Sequence, residues 1–320
     1  METNTWYEIF IEALYKKYPK KSDLIQALMD LLYIEREAVY RRLRQDVLFT
    51  VHEMAKISTA RNISLDAIIG IDSGQIPFQM HQMNYISPSE EELKFLWLVV
   101  KGVQRINNFH DTEFMDICNK LPRRIVAGYN YLNQFYLFKR LYQYSNNNEV
   151  IPFSQVVVSA EKAQLTESYI NAIKHVPNSS FIFDRKLFDL LVSDIRYFCS
   201  IRMITDEEKN LIKKDLYNLL DYLYEVARIG YYPETKSKVN LYISELNIDS
   251  NYSYTFSQEF NSCFIHVFEK YEIYTLNKDM VNKIKMWMQL KKRSSTQISV
   301  VDERSRIEYF AKQRQIVDEL

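Results

Sequence analysis

Side chains capable of bond-making chemistry are sparse in this sequence and do not converge. The five histidines, His52, His81, His110, His175 and His266, never stand three or four residues apart or beside a cysteine. No metal-ligating pattern is present, and each reads as a surface histidine or a satisfied core one. The three cysteines, Cys118, Cys199 and Cys263, are odd in number and far apart. That fits neither a disulfide framework nor a paired zinc motif, and it suits a reducing compartment. Only five glycines occur, at 70, 74, 102, 128 and 230, where average usage would give about twenty. So scattered a set cannot build a Gly-x-Gly-x-x-Gly or Walker loop, which disfavours nucleotide cofactors. Ser200, next to Cys199, lacks a nucleophile-elbow context. The expectation is a protein that is not an enzyme, with no metal and no cofactor.

What does cluster is hydrogen-bonding capacity. Lys20, Lys21 and Ser22 are consecutive, and residues 35–44 set Glu35, Arg36, Glu37, Tyr40, Arg41 and Arg44 around apolar Ala38, Val39 and Leu43. A second concentration runs from Lys283 to Arg314, with nine basic residues against Asp302, Glu303 and Glu308. Such an excess could hold a phosphate-bearing effector or flank DNA, although a solvated face is the commoner meaning. The 24 tyrosines could line an effector pocket, but aromatics at helical spacing usually mean core.

The elements that must position these residues are legible at the N-terminal end. Trp6, Ile9, Phe10, Ala13, Leu14 and Tyr18 recur at helical spacing and Pro19 ends that helix. Ser22 is a candidate N-cap for a second helix carrying Leu24, Ala27, Leu28, Leu31 and Leu32 inward. Tyr33-Ile34 interrupts before a third helix from Glu35 to about Arg44. Thr50 and Glu53 form a capping-box pattern that announces a fourth helix, and a fifth begins at Ser64 with Gly70 placed to stop it. Five short helices, the second and third joined by a tight turn, suit a helix-turn-helix, which lays one helix across phosphates and the next in the major groove.

The stretch LMDLLYIEREAVYRRLRQDVLFTVHEMAKISTARNISLDAIIG, residues 28–70, resembles the Cro/repressor-type, Xre-like helix-turn-helix family. Leu28, Leu32, Ile34, Val39, Leu43, Ile57, Ala60, Ile63, Ser64, Leu65, Asp66 and Ile69 occupy the matching places. The resemblance covers about a fifth of the chain. It departs from the family pattern at the turn, where Tyr33 stands in place of the usual glycine, and in a recognition helix that opens with Glu35 and Glu37. Carboxylates repel phosphates, but a glutamate can accept a hydrogen bond from cytosine N4. The resemblance implies a five-helix, lambda-repressor-like domain that binds double-stranded DNA. Arg36, Glu37, Tyr40 and Arg41 would face base edges or nearby phosphates. Lys20, Lys21 and Ser22 would contact phosphates at the positive end of the second helix, and Arg44 would add backbone contacts. Residues 1–70 hold ten Lys/Arg and ten Asp/Glu, so one copy should bind weakly and a homodimer on a palindromic site is implied. A small helical bundle that recruits a protein partner is the alternative.

Behind this module, 320 residues suit more than one domain. The balance of 41 basic and 41 acidic residues excludes a global pull toward nucleic acid or anionic membranes. No signal peptide is apparent in METNTWYEIF, and the most lipid-like run, FLWLVV at 95–100, falls far short of the roughly twenty residues of a membrane span. A cytoplasmic home with no membrane association is expected. Residues 73–87 read as a linker after a domain of residues 1–72. Ser87-Pro88-Ser89-Glu90 starts a helix reaching about Asn107, which serves either as a dimer interface or as a central core helix. Further helices are predicted at 129–145, 153–176, 184–203 and from the capping box Thr205–Glu208 to about Ile229. Residues 88–232 thus form a helical dimerisation or core region. VNLYISELNI, YSYTF and CFIHVFEKYEIYTL read as three strands, followed by a helix at 278–290, a short TQISVV strand and a terminal helix from Asp302. The predicted class is therefore mainly α, ending in a small α+β module at 233–320 that could bind an unidentified small-molecule effector.

Overall fold

A computed structural model describes residues 5–18, 20–61, 63–65, 68, 78–82, 90–107, 109–144, 151–157, 159–267 and 271–320. The chain divides into two compact units, Met1–Pro77 and Phe78–Leu320. Among the described residues no helix is long and apolar enough to cross a membrane.

The first unit is helical. It comprises α1 (Thr5–Lys17), α2 (Lys21–Leu32), α3 (Arg36–Leu43) and α4 (Val51–Arg61). Their apolar stripes close on one core containing Tyr7, Phe10, Leu14, Leu24, Leu28, Val39, Phe49 and Ile57. Leu65 and Ile68 are helical; Asp66, Ala67, Ile69 and Gly70 of the expected fifth helix lie outside the described residues. Ser22 does not cap α2. The cap position is Lys20, with extended backbone and no side-chain cap, while the Ser22 hydroxyl donates to Asp23 Oδ1. The Thr50–Glu53 box does form, with Thr50 N–H donating to Glu53 Oε2 at 2.8 Å and Glu53 N–H to Thr50 Oγ1 at 3.2 Å.

Tyr7 ties three segments of this unit together. Its ring is fully buried, its hydroxyl accepts from the Phe49 N–H at 2.9 Å and donates to the Arg42 carbonyl at 3.3 Å. Tyr7→Phe keeps the packing but leaves a buried backbone donor without an acceptor. A loss of about 1.5 kcal/mol is expected, measurable as faster amide exchange across α1 and residues 42–54 of the full chain.

The second unit corrects the predicted fold class. It is built on one eight-stranded mixed sheet, not on helices with a small appended module. The strands are β1 (Gln79–Gln82), β2 (Glu113–Cys118), β3 (Asn178–Asp184), β4 (Lys238–Ser244), β5 (Tyr252–Phe256), β6 (Asn261–Val267), β7 (Tyr271–Thr275) and β8 (Ser295–Gln297), in the order β1-β7-β6-β5-β2-β3-β4-β8. β2, β3 and β4 are parallel, and all other pairs are antiparallel. Two strands of the region read as helical, β2 and β3, therefore hydrogen-bond directly with strands of the region read as a separate module. β1 falls inside the stretch read as linker.

The intervening helices are α5 (Glu90–Ile106), α6 (Arg123–Val126), α7 (Asn130–Tyr144), α8 (Ala160–Lys174), α9 (Leu187–Ser200), α10 (Asp206–Ile229), α11 (Lys278–Lys291) and α12 (Glu303–Asp318). The steps β2 to β3 to β4 run in one direction along the sheet, so right-handed crossovers put their helices on the same face. Strand alternation agrees. Phe114, Cys118, Phe181, Phe183, Val239 and Leu241 share a core with α7 to α10 and α12. Met115, Ile117, Ile182, Tyr254 and Cys263 face the other way, against Val281, Ile284 and Met288 of α11. In α5, Val100, Val103 and Ile106 are buried while Trp97 and Leu98 stay 50% and 61% exposed. The helix thus has one core face and one apolar outer face.

The capping box at Thr205 and Glu208 opens α10, and Gly230 closes it with φ +79°. A Cβ at Gly230 would meet Val300 Cγ2 at 2.5 Å. Gly230→Ala combines a left-handed penalty with that clash, so about 2 kcal/mol should be lost, checked by chemical denaturation monitored by circular dichroism.

Candidate nucleic-acid interface

The first unit places the predicted contact residues around α2 and α3. These helices are joined by Tyr33, whose backbone is left-handed at φ 55°, ψ 45° and whose N–H closes on the Met29 carbonyl at 2.9 Å. A non-glycine residue there costs about 1–2 kcal/mol. The ring itself is 88% exposed. The tight turn is thus made without glycine, by straining a tyrosine that packs against nothing.

Along α3 each residue turns the face by about 100°. Val39 and Leu43 are buried; Glu37, Arg41 and Arg44 lie opposite them, Arg36 and Tyr40 on one flank and Ala38 and Arg42 on the other. Lys20, Lys21, Ser22, Arg36, Glu37, Arg41 and Arg44 are exposed, and Tyr40 is half-buried against the core. Two pairs of the predicted set meet. Lys21 Nζ stands 5.8 Å from the centre of the Tyr40 ring, which links the start of α2 to α3. Arg44 binds Glu37 at 3.1 Å and Asp46 at 3.0 Å; hydrogen bonds to those carboxylates raise its pKa further. Arg44 and Glu37 are therefore paired with each other in the free chain. Arg36 and Arg41 differ: among the described residues neither guanidinium makes a hydrogen bond or an ion pair.

Sequence reasoning missed the residue that holds this surface in place. Arg42 projects toward α4 and binds Glu53 through both nitrogens, Nε at 3.1 Å and Nη2 at 2.8 Å. The two side chains are 16% and 14% exposed. Arg42 also donates to the Ala38 carbonyl at 3.2 Å and lies 6.0 Å from the Phe49 ring centre. Burial works to raise the Glu53 pKa, but the hydrogen bond and charge of Arg42 and the Thr50 bonds outweigh it and hold the carboxyl below its ordinary value. Glu53 thereby serves as helix cap and as anchor for the C-terminal end of α3.

No family model, curated protein or solved structure matches this chain.

Part of the basic run from Lys283 to Arg314 is ion-paired. Lys285 pairs with Glu113, Arg304 with Glu308, Arg306 with Glu303 and Arg314 with Asp221. Lys292 sits 3.3 Å from Ser180 Oγ and 5.4 Å from the Tyr242 ring centre, its pKa lowered by burial. Cys118, Cys199 and Cys263 are free thiols, and burial pushes the Cys263 thiol up to about 12, away from nucleophilic use.

Proposed function

We propose that this chain is a cytoplasmic, non-enzymatic transcription regulator that binds double-stranded DNA through its first unit, as a homodimer on a palindromic operator. The reading is supported most by Arg36 and Arg41, two exposed guanidiniums without an ion pair, Arg41 on the outward side of α3 and Arg36 on its flank. Tyr40, on the Arg36 flank, meets Lys21 at the N-terminal end of α2. A guanidinium already held by a carboxylate loses much of its attraction for a base edge or a phosphate, whereas these two keep theirs. The start of α2 offers backbone N–H groups and a positive dipole end for a phosphate. Equal numbers of acidic and basic residues in residues 1–70 make single-copy affinity low, and a dimer doubles the phosphate contacts. In this reading the second unit dimerises and responds to a small-molecule effector.

The test is titration of the full chain onto fluorescent DNA from upstream of its own coding sequence and onto unrelated DNA. Salt should be set at about 50 and about 200 mM, the range over which phosphate contacts lose most affinity. Upstream-specific binding that weakens with salt is expected. Absence of binding at either salt would overturn the reading and leave the helical unit as a protein-docking module.

A further inference from the structure

The core beneath the parallel strands contains a cavity of about 280 Å³, between β3, β4 and the helices packed on them. Phe181 and Phe183 of β3 and Val239 and Leu241 of β4 line it on the sheet side, with Phe181 opposite Leu241 in the strand register. Leu219, Leu223 and Val226 face it from α10, where their spacing of four and then three residues sets them on one side of the helix. Ile170 and Ile173 of α8 and Ile125 of α6 complete the apolar lining. Phe181, Phe183, Leu219, Leu223, Val226 and Leu241 are each no more than 5% exposed, so the space lies within the core and is not a dent in the surface.

Protein interiors pack as densely as organic crystals and hold few voids larger than a water molecule. Side chains that line an empty space forfeit their dispersion contacts on that side. Water is a poor occupant here, because a buried water needs about two to four polar partners, whereas an apolar cavity of ~150 Å³ stays dry and takes up benzene. The charged groups of the lining are Arg124, Lys174 and Glu234, and each is already matched. Arg124 is ion-paired with the buried Asp116. Lys174 binds Glu234 at 2.8 Å and stands 4.9 Å from the Tyr222 ring centre, and the Tyr222 hydroxyl donates to Glu234 Oε2 at 3.1 Å. A charged ligand would find no unmatched partner, and a neutral one disturbs none of these pairs.

We infer that this cavity binds a small uncharged aromatic compound of one or two rings, held against Phe181, Phe183 and the aliphatic face of α10. Aromatic side chains favour such a ring through offset and edge-to-face contacts, and the volume exceeds what a single benzene ring requires. The ligand enters past Lys174 and Glu234, whose side chains are 23% and 48% exposed. A pair that open to solvent holds weakly and parts readily. The binding stands on this cavity alone; only its role as the effector site rests on the regulator reading above.

The experiment is calorimetric titration of the full chain with toluene, indole and benzoate, alongside the shift each causes in the unfolding midpoint. Toluene and benzoate share a ring and differ in charge. One or both of the neutral rings should bind once per chain and raise the midpoint, and the tighter of the two gives the ring size. Benzoate should bind at least about tenfold more weakly than that ring, because its carboxylate loses water without gaining a free cation. Methyl-labelled protein then locates the ligand: nuclear Overhauser effects from the tighter ring should reach Leu219, Leu223 and Val239. Val226→Phe should fill the space and abolish binding while keeping or raising the ligand-free midpoint. The Overhauser contacts need no variant, so they decide the matter even where Val226→Phe fails to fold. Benzoate binding as tightly as the neutral rings, no binding of either neutral ring, Overhauser contacts to methyls outside this cavity, or unchanged affinity in a folded Val226→Phe chain would overturn the inference. None of these outcomes bears on DNA binding, which the readout does not involve.

Discussion

Replacing Arg42 with methionine is expected to destabilise the N-terminal unit by about 3 kcal/mol, the lower end of the cost of breaking a buried pair by removing one partner. The methionine recovers most of the packing beside Phe49, so the loss arises mainly from the Glu53 carboxylate left facing a poorly solvated site with no cation. Arg42→Met in a Glu53→Gln background should therefore cost far less than in the wild type, a non-additivity that only a direct interaction produces. Acid sensitivity provides an independent readout. The Glu53 carboxyl in the folded unit titrates below its ordinary value near 4.5. A depressed folded-state pKa contributes stability that is present above the unfolded-state value and is lost as pH falls through the folded-state value. Amide protection of α3 and α4 should fall below about pH 4.5 in the wild type, and this component should be missing in Glu53→Gln. A cost under about 0.5 kcal/mol for Arg42→Met, with unchanged acid sensitivity, would show that the pair behaves as an exposed surface salt bridge.

The division between what the sequence discloses and what it hides follows sequence separation. Both capping boxes are contained in four residues, Thr50 to Glu53 and Thr205 to Glu208, and both are readable as motifs. The other role of Glu53 depends on a residue eleven positions earlier and on where α3 ends, which no local pattern encodes. Ser22 shows the converse hazard: a residue with the right chemistry for a cap stands two positions inside the helix, because Asp23 N–H and Leu24 N–H close on the Lys20 carbonyl instead.

The central sheet is hidden for a related reason. β2 and β3 are parallel and covered on both faces, so they read as short, mainly apolar runs, FMDIC with Asp116 in its middle and SFIFD with polar ends, that do not alternate regularly and sit between strong helical patterns. The antiparallel strands near the C-terminal end are richer in Val, Ile, Tyr and Thr, and are readable. Even there CFIHVFEKYEIYTL reads as one strand where the chain forms two, β6 and β7. The residues between them, Phe268, Glu269 and Lys270, carry none of the glycine, proline or asparagine that marks a turn. The cavity is beyond sequence reading altogether, since its lining is drawn from positions between 124 and 241. The predicted contact residues are legible as a set of types on two helices, but not in their pairing: the ion pair between Arg44 and Glu37 depends on geometry across two turns.

That pairing separates the contact residues by expected effect. Arg36→Ala with Arg41→Ala removes two exposed guanidiniums that support nothing in the fold, so the unit should stay folded while affinity for upstream DNA falls on the order of 100-fold, at 1–3 kcal/mol for each base-edge hydrogen-bonding partner removed. If one of them meets phosphate instead, the slope of log affinity against log salt should become shallower by about 0.9 for each phosphate no longer neutralised. Arg44→Ala should matter much less, because Glu37 and Asp46 already hold that guanidinium. Glu37→Gln acts in the opposite direction: it removes a carboxylate from the surface proposed to face phosphates and releases Arg44 from one partner, so binding to unrelated DNA should tighten several-fold. Discrimination between upstream and unrelated DNA then decides what Glu37 does. Retained discrimination makes it a restraint on non-specific affinity, whereas its loss makes Glu37 the acceptor for a cytosine amino group. Fluorescence anisotropy on both DNAs, with amide exchange of α1–α4 as the control for folding, distinguishes these outcomes. Wild-type affinity in the Arg36→Ala, Arg41→Ala double variant would place the DNA-contacting surface elsewhere on the chain.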